Sequence, residues 1–207
     1  AVMASMYAVY HGPAGLKEIA LRVNARARDL KAALVAGGVE IAEGMFFDTI
    51  VARVDDADAV CGAAVSKGYN LRRIDGKRVG VSLDETIDEA DLAGILEAFG
   101  VVEGDAGSAE KSWSEAFGRQ SEFLSQKVFN AHHTETEMLR YLKRLEVKDL
   151  ALNESMIPLG SCTMKLNATS EMMPLSWPEV SSLHPFVPAE QSQGSRKMLV
   201  QLEDWLA

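Results

Sequence analysis

The stretch Tyr69-Asn-Leu-Arg-Arg-Ile-Asp-Gly-Lys-Arg-Val-Gly-Val-Ser-Leu83 decides the fold that we predict for the first hundred residues. Residues 69–74 and 77–83 are interpreted as two strands, and several of them are β-branched or aromatic. Asp75-Gly76 stands between them and is a strong signal for a two-residue hairpin turn. The stretch therefore predicts two antiparallel strands.

Upstream of this hairpin the sequence predicts a helix and two more strands. Residues 39–42 and 45–54 have strand composition, the second run being rich in β-branched and aromatic side chains. The acidic residues at 55–58 suit the start of a helix, which is expected to run to about Lys67 and to end at Gly68. The chain thus approaches the hairpin through alternating strands and helix.

Helices are predicted on both sides of this region. The first is expected to end at Gly12, and a second to begin at Pro13 and to end at Gly37-Gly38. After the hairpin, Thr86-Ile-Asp-Glu89 has the pattern of a capping box and predicts a helix that ends at Gly100. The order β-α-β-β-α behind one long helix predicts a compact, open-faced α+β domain.

The second half of the chain has a different character. Residues 101–126 are rich in Gly, Ser, Ala and Glu without periodicity, which is typical of a linker. Capping boxes at Thr134–Glu137 and Ser176–Glu179 then predict two helix starts, the second with Pro178 in the favoured first position. Residues 127–207 are therefore predicted to be mostly helix and loop.

Between those two boxes lies the run Ile157-Pro-Leu-Gly-Ser-Cys-Thr-Met-Lys-Leu-Asn167, which is polar and compact. Pro158 restricts the backbone and Gly160 relaxes it, so together they favour a fixed loop. The loop concentrates hydrogen-bonding and nucleophilic groups, which is what a site for a small polar ligand needs. These groups belong to Ser161, Cys162, Thr163, Lys165 and Asn167. Local composition alone also permits an ordinary turn with an exposed lysine.

Composition excludes several classes of function. The chain has 207 residues, 47% of them hydrophobic and 25% charged, as in ordinary globular proteins. A formal net charge of −9 argues against a nucleic-acid partner or an acidic membrane surface. The two cysteines, Cys61 and Cys162, are far apart and without metal-ligand spacing, so we expect a reducing compartment and no metal site. Cys61 lies on the apolar side of its predicted helix and is expected to be a buried small side chain.

Short sequence words along the whole chain are similar to one known family. Ser5-Met-Tyr-Ala-Val-Tyr-His-Gly12 and the run from Met156 to Asn167 are two of them. The others are Phe46-Phe-Asp-Thr49, Ser82-Leu-Asp-Glu-Thr86, Val128-Phe-Asn130, Glu135-Thr-Glu-Met-Leu-Arg-Tyr141, Trp177-Pro-Glu179 and Leu183-His-Pro-Phe186. Taken in the order in which they occur along the chain, these words resemble the glycine cleavage system P-protein. That family is a glycine decarboxylase (glycine dehydrogenase, decarboxylating) that depends on pyridoxal phosphate.

The resemblance implies an α/β fold of the type I class of pyridoxal-phosphate enzymes. Residues 1–100 would be the long helix and the small α+β domain that close the first, cofactor-free half of such a protein. Residues 101–126 would be the linker, and residues 127–207 would open the second, cofactor-binding half. Both ends of the chain have helical periodicity without caps or stops, so we expect an internal fragment of a longer protein.

The resemblance also implies the reaction. Glycine would lose its carboxylate with pyridoxal 5'-phosphate as electron sink, and the aminomethyl group would pass to the lipoyl group of the carrier H-protein. The other implied partner is a homodimer mate or the paired half of the full protein; neither nucleic acid nor a membrane is expected. The implied compartment is the cytoplasm of a bacterium, which we favour, or the mitochondrion of a eukaryote.

The implied site excludes a covalent role for Lys165. The family's cofactor lysine follows a histidine and precedes a glycine-rich stretch, and no such pair occurs in this chain. The fragment is therefore expected to be inactive by itself and not to bind the cofactor. The expected substrate- or cofactor-lining residues are Ser161, Cys162, Thr163, Lys165, Asn167 and His184.

Several alternatives remain open. His184 could equally be a loop residue that packs against Phe186. An arginine of the small domain often binds the substrate carboxylate in this fold type, but Arg72, Arg73 and Arg78 lie in the half expected to lack cofactor, so an exposed strand face is preferred. The chain could also be a non-catalytic assembly or carrier-docking module, or a different pyridoxal-phosphate enzyme that uses Cys162 as a nucleophile.

Overall fold

The computed structural model describes residues 1–102, 115–149, 151, 154, 156 and 168–207. It divides the chain into two compact units, Ala1–Tyr141 and Leu142–Ala207, which we call unit 1 and unit 2 and describe separately. The division that the sequence predicts, at residues 100 and 126, stays a prediction.

The described residues combine α-helices, single turns of 3₁₀ helix and one antiparallel sheet, as expected for the predicted α/β class. The 3₁₀ turns are Glu115–Phe117, Lys127–Asn130, Met173–Ser176 and Ala189–Gln191. The helices and strands, in chain order, are α1 (Val2–Ala36), β1 (Glu40–Ile41), β2 (Thr49–Arg53), α2 (Ala57–Ser66), β3 (Arg72–Asp75), β4 (Arg78–Ser82), α3 (Glu89–Ala98), α4 (Glu135–Glu146), α5 (Thr169–Met172), α6 (Pro178–Ser181) and α7 (Gln193–Leu206).

Helix α1 is two helices joined at a sharp bend. Gly12 has φ 64° and ψ −179°, a conformation that essentially only glycine adopts, and Pro13 follows it. This confirms the predicted break between a first helix and a second. The second helix ends at Ala36, directly before Gly37 and the left-handed Gly38 (φ 85°), which is also as predicted.

The four strands form one antiparallel sheet in the order β1-β2-β4-β3. The predicted hairpin is confirmed as β3 and β4, but its turn is one residue further along than predicted. Asp75 pairs with Arg78 across the turn, so Gly76 and Lys77 form the turn. The Asp75 carboxylate accepts a hydrogen bond from the Lys77 N–H (2.9 Å), and the register shifts between Arg73 and Asp75. The aspartate thus supports the turn from the strand end instead of occupying it.

The helices bury their apolar residues against this sheet. Contacts join α1 to β1 and β2, α2 to β3 and β4, and both helices to α3. Strands β2 and β4 pair Ile50 with Val81 and Ala52 with Val79, all at most 3% exposed. The main core cluster consists of Ala27, Leu30, Leu34, Ile50, Val81, Leu83, Leu92, Ile95 and Val101. Unit 1 is therefore an open-faced α+β arrangement behind one long helix, as the sequence predicts.

Two of the three predicted capping boxes are wrong in their residues. Helix α3 is capped by Asp88, whose carboxylate accepts from the Asp91 N–H while Asp91 accepts from the Asp88 N–H. Thr86 is instead held by Asp84, which accepts from its N–H and its hydroxyl. A carboxylate two residues downstream thus provides the cap, and the threonine stays in the preceding turn.

The other two boxes lie in the second half of the chain. At α4 the prediction is confirmed, because the Thr134 hydroxyl accepts from the Glu137 N–H and the Glu137 carboxylate accepts from the Thr134 N–H. At α6 the helix starts at Pro178 as predicted, but the Ser176 hydroxyl donates to the Met173 carbonyl and caps nothing. Ser176 is instead the last residue of the preceding 3₁₀ turn.

Unit 2 has no comparable core among its described residues. Ala151 is the one buried residue there, and α5, α6 and α7 have none. Large apolar side chains are exposed instead, among them Trp177, Phe186 and Trp205. The described part of residues 127–207 is helix and irregular loop without a strand, which is the predicted composition.

We expect Gly12→Ala to destabilise unit 1. An alanine Cβ would lie 2.6 Å from the Phe129 carbonyl oxygen and 2.7 Å from His133 Cε1, in a backbone conformation that costs a non-glycine residue about 1–3 kcal/mol. Thermal unfolding followed by circular dichroism measures the loss.

Gly62→Ala is the matched control. It adds the same methyl group within helix α2, where nothing lies within 4 Å of the new atom. A helical alanine should leave stability unchanged or raise it by about 0.5–1 kcal/mol. Equal melting temperatures for the two variants would contradict the strain assigned to Gly12.

Candidate functional site

The polar loop predicted as the ligand site lies outside the described residues. This applies to Ser161, Cys162, Thr163, Lys165 and Asn167 alike. Their roles stay predictions.

His184 is the one predicted site residue that the structure describes. It is exposed, and its Nδ1 accepts a hydrogen bond from the Phe186 N–H (3.0 Å). Its ring also lies 5.8 Å from the Phe186 ring, so the alternative contact with Phe186 is present too. Because Nδ1 accepts, the neutral ring carries its proton on Nε2. His184 therefore offers one outward hydrogen-bond donor from a loop that Pro185 stiffens.

The bend in α1 is joined to a distant segment by a junction that the sequence did not predict. We call residues 10–13 together with residues 127–133 the Gly12 junction. His133 Nδ1 lies 2.7 Å from the Tyr10 carbonyl oxygen, and since a carbonyl only accepts, this nitrogen carries the proton. Gly12 is buried there against the Phe129 carbonyl. These residues are more than a hundred positions apart, so no local pattern could have paired them.

Asn130 fixes the shape of the segment that packs on the bend. Its Nδ2 donates to the carbonyls of Leu124 (2.9 Å) and Gln126 (3.1 Å). Leu124 has φ 51°, which is uncommon for a leucine, and the hydrogen bond to its carbonyl helps to hold it there. The C-terminal end of the predicted linker is thus held next to the segment that packs on α1.

A cavity of about 910 Å³ lies beside the junction, between α1 and residues 118–130. Its walls are mostly apolar, with Lys17, Arg119 and Glu122 as the charged residues. The Arg119 guanidinium carbon lies 5.2 Å from the centre of the Phe123 ring. The apolar lining includes Pro13, Leu16, Ala20, Leu21, Phe47 and Leu124. Such a lining suits binding rather than acid–base chemistry.

A second cavity, of about 760 Å³, lies at the end of the sheet, and its cations are already paired. Arg53 lies 3.3 Å from Glu40, and Arg78 lies 2.8 Å from Asp75. Lys77 lies 3.9 Å from the Asp55 carboxylate. These pairs are exposed and contribute little stability. The lining has four carboxylates, of Glu40, Asp55, Asp56 and Asp75, against these three cations, so the cavity shows no preference for an anion.

The adjacent histidines serve packing. The His132 ring stacks on Tyr141 (4.5 Å, 13°), and His133 belongs to the Gly12 junction. The Glu137 carboxylate, which accepts a hydrogen bond from the His133 N–H, is engaged in the α4 cap, where the Thr134 hydroxyl and backbone hydrogen bonds lower its pKa. Within the described residues no three His, Cys, Asp or Glu side chains are grouped to hold a metal ion.

The three arginines considered for a substrate carboxylate lie on exposed strand positions, as expected. Arg73 is paired with Asp58 through two hydrogen bonds, Nε to Oδ1 (2.7 Å) and Nη2 to Oδ2 (3.0 Å). These bonds lower the pKa of the Asp58 carboxyl. Arg78 is paired with Asp75, so two of the three guanidinium groups already have a carboxylate.

Cys61 is half-buried on α2, with its sulfur 3.9 Å from the Leu71 carbonyl oxygen. Burial raises the pKa of its thiol, the negative charge of Asp58 raises it further, and the positive charge of Arg73 opposes both. An unreactive packing role, as predicted, agrees with this environment. No helix among the described residues has the length and apolarity needed to span a membrane.

Known proteins are similar to this chain along its whole length. The family model for the glycine cleavage system P-protein matches residues 1–99. A glycine dehydrogenase (decarboxylating) from Akkermansia muciniphila is 50% identical over 210 aligned positions, which cover 100% of this chain and 22% of that protein. Enzymes of the same name from Xanthomonas oryzae (50% identical, 100% and 21% covered) and Stenotrophomonas maltophilia (51%, 100% and 22%) match similarly. The chain thus spans about a fifth of the length of these curated relatives.

We expect the Cys61 thiol to alkylate more slowly at pH 8 than a free cysteine, because a raised pKa leaves less thiolate. Asp58→Asn should speed the reaction, since it removes one of the charges that raise the pKa and releases Arg73. The rate is measured with iodoacetamide in a Cys162→Ser background. Asp55→Asn removes a carboxylate that does not act on Cys61 and should leave the rate unchanged. An equal acceleration by both variants would contradict the effect assigned to Asp58.

Proposed function

We propose a function on the premise that residues 1–99 belong to the glycine cleavage system P-protein family and that the whole chain is similar to the same relatives. The chain is part of a glycine decarboxylase that uses pyridoxal 5'-phosphate and passes the aminomethyl group of glycine to the lipoyl group of the carrier H-protein. The observation that carries this proposal is identity of about 50% over all of the chain, including both the α+β region and the polar loop.

The two regions of the chain have different parts in this proposal. Residues 1–100 are the end of the first, cofactor-free half, in which α1 and the sheet form a support. Residues 101–126 connect it to residues 127–207, which open the second, cofactor-binding half. The buried core of unit 1 and the exposed apolar residues of unit 2 support this assignment, because a support needs a core of its own and a partial domain does not have one.

In this proposal the residues of this chain bind the substrate and the cofactor and orient them. Pyridoxal phosphate, when bound, supplies the electron sink for the carbanion at the α-carbon of glycine. His184 offers its Nε2–H as a neutral hydrogen-bond donor, which suits an anionic oxygen of cofactor or substrate. Ser161, Thr163 and Asn167 add hydroxyl and amide donors, and Lys165 adds a positive charge. Cys162 lies among them as a further lining group.

None of these residues is the covalent anchor of the cofactor. The chain has no histidine–lysine pair followed by glycines, so the anchoring lysine is expected in the part of the relatives that this chain does not cover. The chain is therefore inactive by itself.

We expect pyridoxal phosphate to form no stable adduct with the isolated chain. Titration is followed by visible absorbance, then by borohydride reduction and intact mass. Lys165→Ala should give the same result, because Lys165 has no covalent role. A stoichiometric adduct that maps to Lys165 would make this loop the anchor and would refute the assignment.

A chimera can be made in which this chain replaces the corresponding segment of the Akkermansia muciniphila relative. We expect that chimera to be active. Release of labelled CO₂ from carboxyl-labelled glycine, with the lipoyl carrier present, measures the activity. His184→Ala in the chimera should lower it by about tenfold or more if the Nε2 donor contacts an anionic group. Glu179→Gln, an exposed change in the preceding helix, is the control. A folded chimera that binds the cofactor but releases no CO₂ would contradict the proposed function.

A further inference from the structure

The cavity between α1 and residues 118–130 has the properties of a ligand site that the proposed function does not use. We call it the α1 cavity. Its volume of about 910 Å³ is in the range of small-molecule sites, roughly 300–1,000 Å³. Two large apolar side chains of its lining are open to water, Leu21 (51% exposed) and Phe47 (44%). Covering such side chains is favourable, so the cavity can bind an apolar group.

One face of α1 forms a wall of this cavity. Its residues follow the i, i+3, i+4, i+7, i+8 spacing of a helix face, and they are Pro13, Leu16, Lys17, Ala20 and Leu21. All of α1 is described, and Lys17 is the charged residue that it contributes to the lining. A cation beside an apolar wall is the arrangement that binds an amphipathic molecule by both of its ends.

Two asparagines hold the other walls in place. The Asn24 side chain is buried, and its Nδ2 donates to the Phe47 carbonyl (2.7 Å), which ties Phe47 to α1. Asn130 lines the cavity itself and donates to the carbonyls of Leu124 and Gln126. The walls are therefore formed before a ligand binds, and this lowers the entropic cost of binding.

The charged groups of the lining favour an anion. Lys17 and Arg119 are its cations, and Glu122 is its carboxylate. Within the described part of the chain, neither cation forms an ion pair with a carboxylate. They are exceptions in unit 1, where caps and ion pairs engage many charged groups. The lining thus has one positive charge in excess, although the whole chain has a formal net charge of −9.

Arg119 is also suited to a carboxylate by its contact with Phe123. Its guanidinium carbon lies 5.2 Å from the centre of that ring. A guanidinium that packs on an aromatic ring keeps the N–H groups at its edge, which can bind a carboxylate through two parallel hydrogen bonds. Phe47 and Phe123 supply aromatic surface in the same cavity, so a ligand with a ring of its own is favoured.

We propose that the α1 cavity binds a small aromatic carboxylate. The ring packs on the apolar lining, and Lys17 and Arg119 bind the carboxylate. One net positive charge matches a carboxylate, whereas it would leave a phosphate dianion only partly neutralised. The ligand joins residues 118–125 to α1 beside the Gly12 junction, so its binding stabilises unit 1. The site includes none of the residues that the proposed function assigns to glycine or the cofactor.

4-Phenylbutyrate and its neutral analogue 4-phenyl-1-butanol test the site in the complete chain. Titration of the ¹⁵N-labelled chain, followed by amide chemical shifts, should give a dissociation constant of about 0.1–1 mM for the acid. The shifts should lie in residues 14–21, in Phe47 and in residues 118–125. The alcohol should bind about fivefold more weakly or less, because it lacks the charge. Shifts that fall only elsewhere, or equal affinities for the two compounds, would overturn the proposal.

Lys17→Gln and Arg119→Gln test the two cations, with Lys31→Gln as their control. Both side chains are exposed, so these changes should leave the fold intact. Each should weaken binding of the acid about threefold or more and leave binding of the alcohol unchanged. Lys31 is on the same helix, but its ammonium lies over the Phe46 ring (5.1 Å) and it does not line the cavity. An equal effect of Lys31→Gln on the acid would overturn the proposal.

These measurements are independent of the proposed enzymatic function, because they need neither cofactor nor glycine. An active chimera, together with a chain that does not bind 4-phenylbutyrate, would remove the proposed ligand site alone. Binding of the acid in the α1 cavity, together with an inactive chimera, would remove the enzymatic proposal alone.

Discussion

The packing of α1 against the sheet is the interaction on which the rest of unit 1 depends. Leu30 and Leu34 are 1% and 0% exposed and share a cluster with Ile50 and Val81 of the two central strands. Each such side chain contributes about 1.5–3 kcal/mol when it is fully buried. Because α1 is continuous from Pro13 to Ala36, the bend at Gly12 lies about 27 Å from Leu30 along a stiff helix. The core therefore also fixes where the Gly12 junction forms.

The sequence predicted the elements of unit 1 well because each had a strong local cause. Apolar spacing located the helices, and glycines located their ends, since few other residues adopt the positive φ of Gly12 and Gly38. The errors fall where neighbouring polar residues compete for one role. At α3 both Thr86 and Asp88 could provide the cap, and the hydrogen bonds from Thr86 to Asp84 decide between them. Such choices differ by about 1 kcal/mol and cannot be read from a pattern.

The candidate site was less predictable than the fold. Residue types alone indicated that residues 161–167 suit a polar ligand, but the role of each group depends on neighbours that the chain's local pattern does not specify. The contact of His133 with the Tyr10 carbonyl is a clear example, because 123 positions separate the two residues. The properties of His184 were predictable only in part. Its fixed loop follows from Pro185, whereas the choice of Nε2 as donor follows from a hydrogen bond that only the structure shows.

The two units divide stability and chemistry between them. Unit 1 buries a core and holds its polar groups in caps, pairs and turns, so its side chains are committed to structure. The described part of unit 2 buries Ala151 alone, and it contains both His184 and the exposed apolar side chains of α7. Regions with few buried contacts open most easily, and they gain order when a partner covers them. The residues with the most chemistry in this chain therefore depend most on what binds beside them.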